Sequence, residues 1–152
     1  MEDASESSTF FVWDSRFNVE IEEVDQQHMR LADLINELHD AMTRNYGRGT
    51  VPFTIDEYDT MAAVLDELID YASYHFSTEE RYMREHAYPG YAAHKAVHRQ
   101  FADRVRRFRE DLEAGKAVVC ADVLEFLKDW LVRHILTADK KLGAFLDKRA
   151  LT

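Results

Sequence analysis

His75 and Glu79 stand four residues apart on a stripe that is otherwise apolar. On an α-helix that spacing places both side chains on one face, one turn above the other. The stripe runs through Met61, Leu65, Leu68 and Ala72 at three- and four-residue steps before His75, and Tyr82 follows Glu79. Burying a polar group without a partner costs roughly 2–7 kcal/mol. The chain therefore has to fold so that other groups, or an ion, meet this imidazole and carboxylate.

The same anomaly recurs on three further helical patterns. From about Glu20 to Thr43, apolar positions fall at Val24, Leu31, Ile35, Leu38 and Met42, and His28 occupies a place in that seam. A polar loop with Gly47, Gly49 and Pro52 follows, and Thr54 with Glu57 reads as a capping box for the second helix, Ile55 to Glu85. Tyr88-Pro89-Gly90 breaks the pattern, with Pro89 suited to seed the first turn of a third helix. That helix has the seam Tyr91, His94, His98, Phe101, Val105, Phe108 and Leu112, and Gly115 as its stop. A fourth, Val119 to Leu146, carries Leu124, Leu127, Leu131, His134, Ala138, Leu142 and Phe145 on its inner side. Four amphipathic helices joined by short connections predict an all-α fold, an antiparallel up-down-up-down four-helix bundle. Phe10 to Phe17 reads as an N-terminal arm laid over it, anchored by Trp13. Residues 1–9, acidic and Ser-rich, read as a disordered tail, and 10–152 as a single domain.

Composition narrows the function. A net charge of −10 argues against nucleic acid as a partner. Residues 1–9 lack the apolar core of a signal peptide, and no apolar run nears the ~20 residues of a membrane span. The one cysteine, Cys120, suits a reducing compartment. The expectation is a cytoplasmic protein, and the acidic charge favours a monomer.

Five of the seven histidines thus lie on inner seams, His28, His75, His94, His98 and His134, together with Glu79 and Asp139. His39 and His86 each lie eleven residues beyond one of these, about 16 Å along a helix at 1.5 Å per residue, too far to join one centre. His134 and Asp139 are five apart, about 140° round an ideal helix. Either they reach inward from opposite flanks or the helix carries a local π-bulge. Five imidazoles and two carboxylates are too many donors for one octahedral ion or a tetrahedral zinc. Two ions bridged by both carboxylates, with three imidazoles on one and two on the other, account for all seven. With a solvent-derived bridge one position stays open, which suits end-on binding of a diatomic molecule.

The sequence resembles the hemerythrin family, and most closely its bacterial members. The resemblance rests on Trp13-Asp14, on Val24-Asp25-Gln26-Gln27-His28, on His75-Phe76-Ser77-Thr78-Glu79-Glu80 with Met83, and on Tyr88-Pro89. It continues through His94-Lys95-Ala96-Val97-His98 with Phe101, and Trp130-Leu131 before His134-Ile135, with Asp139-Lys140 after them. It implies two non-heme iron ions with an oxo or hydroxo bridge and reversible O2 binding. By the same resemblance His94, His98 and His134 would hold one iron, His28 and His75 the other, and Glu79 and Asp139 would bridge. O2 would bind the two-histidine iron, in a pocket walled by Leu31, Phe76, Trp130, Leu131 and Ile135.

Three alternatives stand beside this reading. A di-iron oxidase of ferritin type would be carboxylate-rich, with Glu-x-x-His pairs that this chain lacks. A structural or zinc-binding bundle would hold no iron pair. A third keeps the iron chemistry but uses it to sense O2 or nitric oxide, or to handle iron. The connection at 44–59 is longer than the family pattern leads one to expect, either as added helix or as a cover for a protein partner.

Overall fold

The computed structural model describes residues 9–46, 55–114 and 121–151. Helix α1 spans Glu22–Tyr46, α2 Ile55–Glu85 and α3 Tyr91–Glu113. The fourth rod is composite: α4 is Ala121–His134, a π segment occupies Ile135–Asp139, and α5 is Lys140–Leu151. No strand occurs among the described residues. The rods form an antiparallel four-helix bundle in which α1 lies along α2 and α4, and α2 along α3. The Thr54 cap, the Gly115 stop, Cys120, residues 1–8 of the tail and residues 47–54 of the first connection lie outside the described residues. Residues 55–59 of that connection belong to α2.

The seams dictate what is buried. Val24, His28, Leu31, Ile35, Leu38 and Met42 of α1 all face inward, as do Met61, Leu65, Leu68, Ala72, His75 and Glu79 of α2. Past Glu79 the buried stripe passes to Met83, and Tyr82 is only half-buried. Helix α2 ends where Ala87 takes a left-handed φ of 51°, with Tyr88 N–H donating to Met83 O and Ala87 N–H to Arg84 O. That closing turn satisfies two terminal carbonyls. Pro89 falls in the turn before α3 rather than in its first turn, since Gly90 caps that helix.

The arm crosses the bundle as expected, but its anchor differs. Phe11, Phe17 and Val19 are buried, whereas Trp13 is half-exposed and packs on Phe17 with ring centres 5.0 Å apart. Asn36 holds the arm's backbone from both sides: its Oδ1 accepts from Phe11 N–H at 2.8 Å and its Nδ2 donates to Phe11 O at 2.9 Å. Lys128 donates to Phe10 O at 2.8 Å, tying the arm to α4. Phe11 and Phe17 join the core, and the indole packs against it half-exposed.

The arm then presses its backbone on the fourth rod. A Cβ at Gly143 would lie 2.2 Å from Val19 O. In an unobstructed helix Gly→Ala gains about 1 kcal/mol. Here the methyl group meets backbone, so Gly143→Ala is expected to lower stability by about 1–3 kcal/mol, the usual cost of overpacking. Urea unfolding midpoints of the two proteins check the sign.

Candidate metal centre

Each helix delivers its polar side chains at one level of the bundle. His28 comes from α1, His75 and Glu79 from α2, His94 and His98 from α3, and His134 from the end of α4. Asp139 closes the π segment. There Lys140 N–H donates to Ile135 O, five residues back, and the wider turn brings Asp139 round towards the face of His134. The Thr137 hydroxyl donates to Arg133 O at 2.6 Å, giving that carbonyl a partner inside the irregular turn. The π turn also moves the rod's phase by one residue. Asp139 is buried in place of Ala138, which is half-exposed, contrary to the inner position expected of it.

All seven side chains are buried, His28, His75 and Glu79 completely. Their ligand atoms form two groups, each with all atoms within 4.8 Å of one another. One group holds Glu79, His94, His98, His134 and Asp139, and the other His28, His75, Glu79 and Asp139. The two carboxylates belong to both, and they divide their oxygens. Glu79 Oε1 lies 2.9 Å from His98 Nε2 and 3.3 Å from His94 Nε2, while its Oε2 lies 3.2 Å from His75 Nε2 and 3.4 Å from His28 Nε2. Asp139 Oδ1 lies 3.0 Å from His94 Nε2 and 3.1 Å from His134 Nε2, and its Oδ2 2.9 Å from His28 Nε2.

These atoms are close without being paired. His28 Nε2, His75 Nε2, Glu79 Oε2 and both Asp139 oxygens have no hydrogen-bond partner among the described residues. On the other side, His134 Nε2 lies 3.2 Å from His94 Nε2 and 3.1 Å from His98 Nε2. Three ring nitrogens so placed repel one another unless protons or a cation lie between them. The donor set, imidazole nitrogen with carboxylate oxygen, is the one that suits iron and other first-row transition metals. The residues fit a metal pair.

Two side chains set the outer ring nitrogens. His75 Nδ1 meets Gln27 Oε1 at 2.8 Å, and His98 Nδ1 meets Glu80 Oε2 at 2.9 Å. Glu80, one residue beyond Glu79, supports His98 from outside the centre. Gln27 is buried and escaped the sequence reading. Its only signal was a polar residue next to His28 on the inner side of α1. His39 and His86 stay away from the centre: His39 stacks on Phe10 at 4.7 Å, and His86 Nδ1 meets Tyr82 O at 2.9 Å.

Apolar side chains close the space around the seven. Leu31, Phe76, Leu131 and Ile135 are buried and Trp130 is half-buried. Phe76 stacks on His98 with ring centres 4.0 Å apart and also lies 5.7 Å from His75. Trp130 stacks on His134 at 4.5 Å and borders an open groove of about 420 Å³ between α3 and α4.

Without metal, the electrostatics couple imidazole to carboxylate. Burial opposes charge on His28, His94 and His134, but Asp139 and Glu79 outweigh it and push each up to about 9. Burial dominates at His75, which is lowered. Both carboxyls are resisted by burial yet held well below their usual range, Glu79 chiefly by His75 and Asp139 chiefly by His134.

Two opposed pH trends follow. A histidine raised from 6.5 to about 9 stabilises the metal-free fold fully below pH 6.5, and that contribution is lost as pH rises through 9. A metal needs the same nitrogens deprotonated, so binding releases protons and tightens over the same interval. Urea unfolding of the metal-free chain should weaken from pH 6.5 to 9. Over that interval Co2+ titrations in a pH-stat should show proton release together with rising affinity.

Comparison with known proteins identifies the company this geometry keeps. The family model for the hemerythrin HHE cation binding domain matches residues 19–146. A bacteriohemerythrin of Stenotrophomonas maltophilia is 36% identical over 129 residues, covering 85% of this chain and 76% of its own. The bacteriohemerythrin of Methylococcus capsulatus is 35% identical, covering 87% and 92%. A crystal structure of wild-type hemerythrin superposes with a TM-score of 0.76 at 32% identity, over 89% of this chain and 96% of that one.

Proposed function

The chain belongs to the hemerythrin family, and from that premise we propose how its own residues serve an oxygen carrier. It is an O2-binding di-iron protein. In our reading His94, His98 and His134 hold one iron, His28 and His75 the other, and Glu79 and Asp139 bridge the two. One observation carries this assignment: each carboxylate turns one oxygen to the three-imidazole group and the other to the two-imidazole group. A single ion would leave half of those oxygens facing the wrong way.

The iron pair supplies the electrons that make O2 binding reversible; the chain's contribution is to bind, hold and protect. Five imidazoles turn Nε2 to the centre, and at His75 and His98 the Nδ1 contacts with Gln27 and Glu80 fix the ring planes. Three nitrogens on one side and two on the other leave fewer protein ligands beside His28 and His75, so the open position would fall on that side. Leu31, Phe76, Leu131, Ile135 and Trp130 form the wall that keeps water from the pair. Their low polarity would keep water and protons away from the pair and so slow its irreversible oxidation.

We read the protein as a carrier and not as an enzyme, because only two of seven ligands are carboxylates. A ferritin-type oxidase would offer Glu from every helix. Residues 10–152 as one domain, a monomeric state and a cytoplasmic setting complete the proposal, supported by the continuous core and the charge of −10. No described helix is long and apolar enough to cross a membrane. A protein partner at 44–59 would turn the same chemistry to sensing.

The test separates ligands from wall. Purified protein should hold two irons per chain and gain a charge-transfer band with O2 that is lost on deoxygenation. His134→Ala should lose iron. Leu131→Ala should keep both irons, lose about 2–5 kcal/mol of stability as a buried leucine does, and oxidise faster in air. A His134→Ala protein with two irons and a normal O2 band would refute the ligand assignment; rapid peroxide turnover by the wild type would refute the carrier.

A further inference from the structure

The two imidazole groups are not buttressed alike. At His75 the outer partner is a neutral amide, and its orientation is forced by a chain of hydrogen bonds. The Thr78 hydroxyl donates its single proton to Tyr74 O, 3.1 Å away within α2. Its oxygen is therefore left to accept, and the Gln27 amide nitrogen lies 3.2 Å from it. With Nε2 committed to Thr78, Gln27 must turn Oε1 to His75, at 2.8 Å. A carbonyl oxygen only accepts, so the ring proton sits on His75 Nδ1 and Nε2 keeps its lone pair for the centre. Gln27 is 4% exposed and Thr78 6%, so water does not compete for these bonds.

At His98 the outer partner is a carboxylate. Glu80 Oε2 lies 2.9 Å from Nδ1, and a carboxylate, like the carbonyl, fixes the proton there. The same tautomer is thus imposed twice, by groups of different charge. A carboxylate pulls the Nδ1 proton harder than an amide, which makes the imidazole a stronger donor at Nε2.

Resting on the ligand assignment above, we propose that Gln27 and Glu80 are positioning residues that hold His75 and His98 in one tautomer while making the two iron positions electronically unequal. Glu80 enriches the iron held by three histidines and favours its ferric state. Gln27, locked by Thr78, leaves the O2-binding iron the poorer of the two and so slower to be lost to oxidation. The Thr78 hydroxyl acts through Gln27 and touches neither ring.

Exchanging the charges tests this on the iron-loaded full chain, read by midpoint potential in spectroelectrochemistry and by iron release to excess bipyridine. Glu80→Gln retains an acceptor but loses the charge. It should raise the midpoint potential and speed release roughly tenfold, the low end of what losing such a partner costs in affinity. Gln27→Glu adds a charge at His75 and should lower the potential and hasten air oxidation. Thr78→Val frees the amide to turn and should speed iron release, and Thr78→Ser should restore the wild-type rate. Shifts of opposite sign in the two charge variants support the proposal, because a merely structural role would move both the same way. Equal potentials in Glu80→Gln, Gln27→Glu and wild type, with two irons in each, overturn it. A wild type without two irons would instead overturn the ligand assignment beneath it.

Discussion

Everything in this structure depends on gathering five imidazole nitrogens and four carboxylate oxygens at one level of a dry helical core. Such a gathering is unfavourable on its own terms. The groups are stripped of water, several lack a partner, and like atoms face one another at about 3.1–3.2 Å. Proton sharing offsets part of the cost in the metal-free chain, which is why three of the histidines stay charged well above their ordinary range. A pair of cations removes the conflict outright. The bundle is thus a scaffold whose centre is completed by what it binds, with ordinary leucine-rich packing around it supplying the stability that the centre withholds.

Most of this was legible in the residues. A heptad-like seam identifies each inner face, and a histidine in such a seam is conspicuous because its neighbours are Leu, Ile and Phe. Periodicity therefore located His28, His75, His94, His98 and His134 with the same evidence that located the helices. The His134–Asp139 spacing went further: a five-residue step that an α-helix cannot place on one face left two geometries open, and the structure takes the π turn. The family resemblance supplied what spacing alone could not, namely the kind of metal and which imidazoles share an ion.

Where the reading fell short, the reasons are physical. Ala138 sat on the expected face only because the π turn was not yet imposed, and adding one residue to a turn carries Asp139 into its place. In the arm the sequence points to Trp13, but Phe11 and Phe17 are the rings buried in the core and the indole packs beside them half-exposed. Gln27 gave almost no signal, since a glutamine beside an inner residue reads as surface unless its partner is known. That partner, His75, lies 48 residues away in the chain. Supporting residues depend on long-range geometry, whereas ligands announce themselves by chemical type.

The π segment has a consequence for how this chain tolerates length changes. An α-helix turns 100° per residue. The wide turn takes up one extra residue, so α5 already has the phase of a regular helix one residue shorter. Losing one of Leu136, Thr137 or Ala138 would restore a regular helix and leave Leu142 in the core and Gly143 beneath Val19, where only a hydrogen fits. Losing or gaining one between Lys140 and Leu142, where no wide turn takes up the difference, would rotate the rest of α5 through that angle and move Gly143 from under Val19. The fourth rod is therefore lenient to a shortening at the metal end and strict at the arm's resting place.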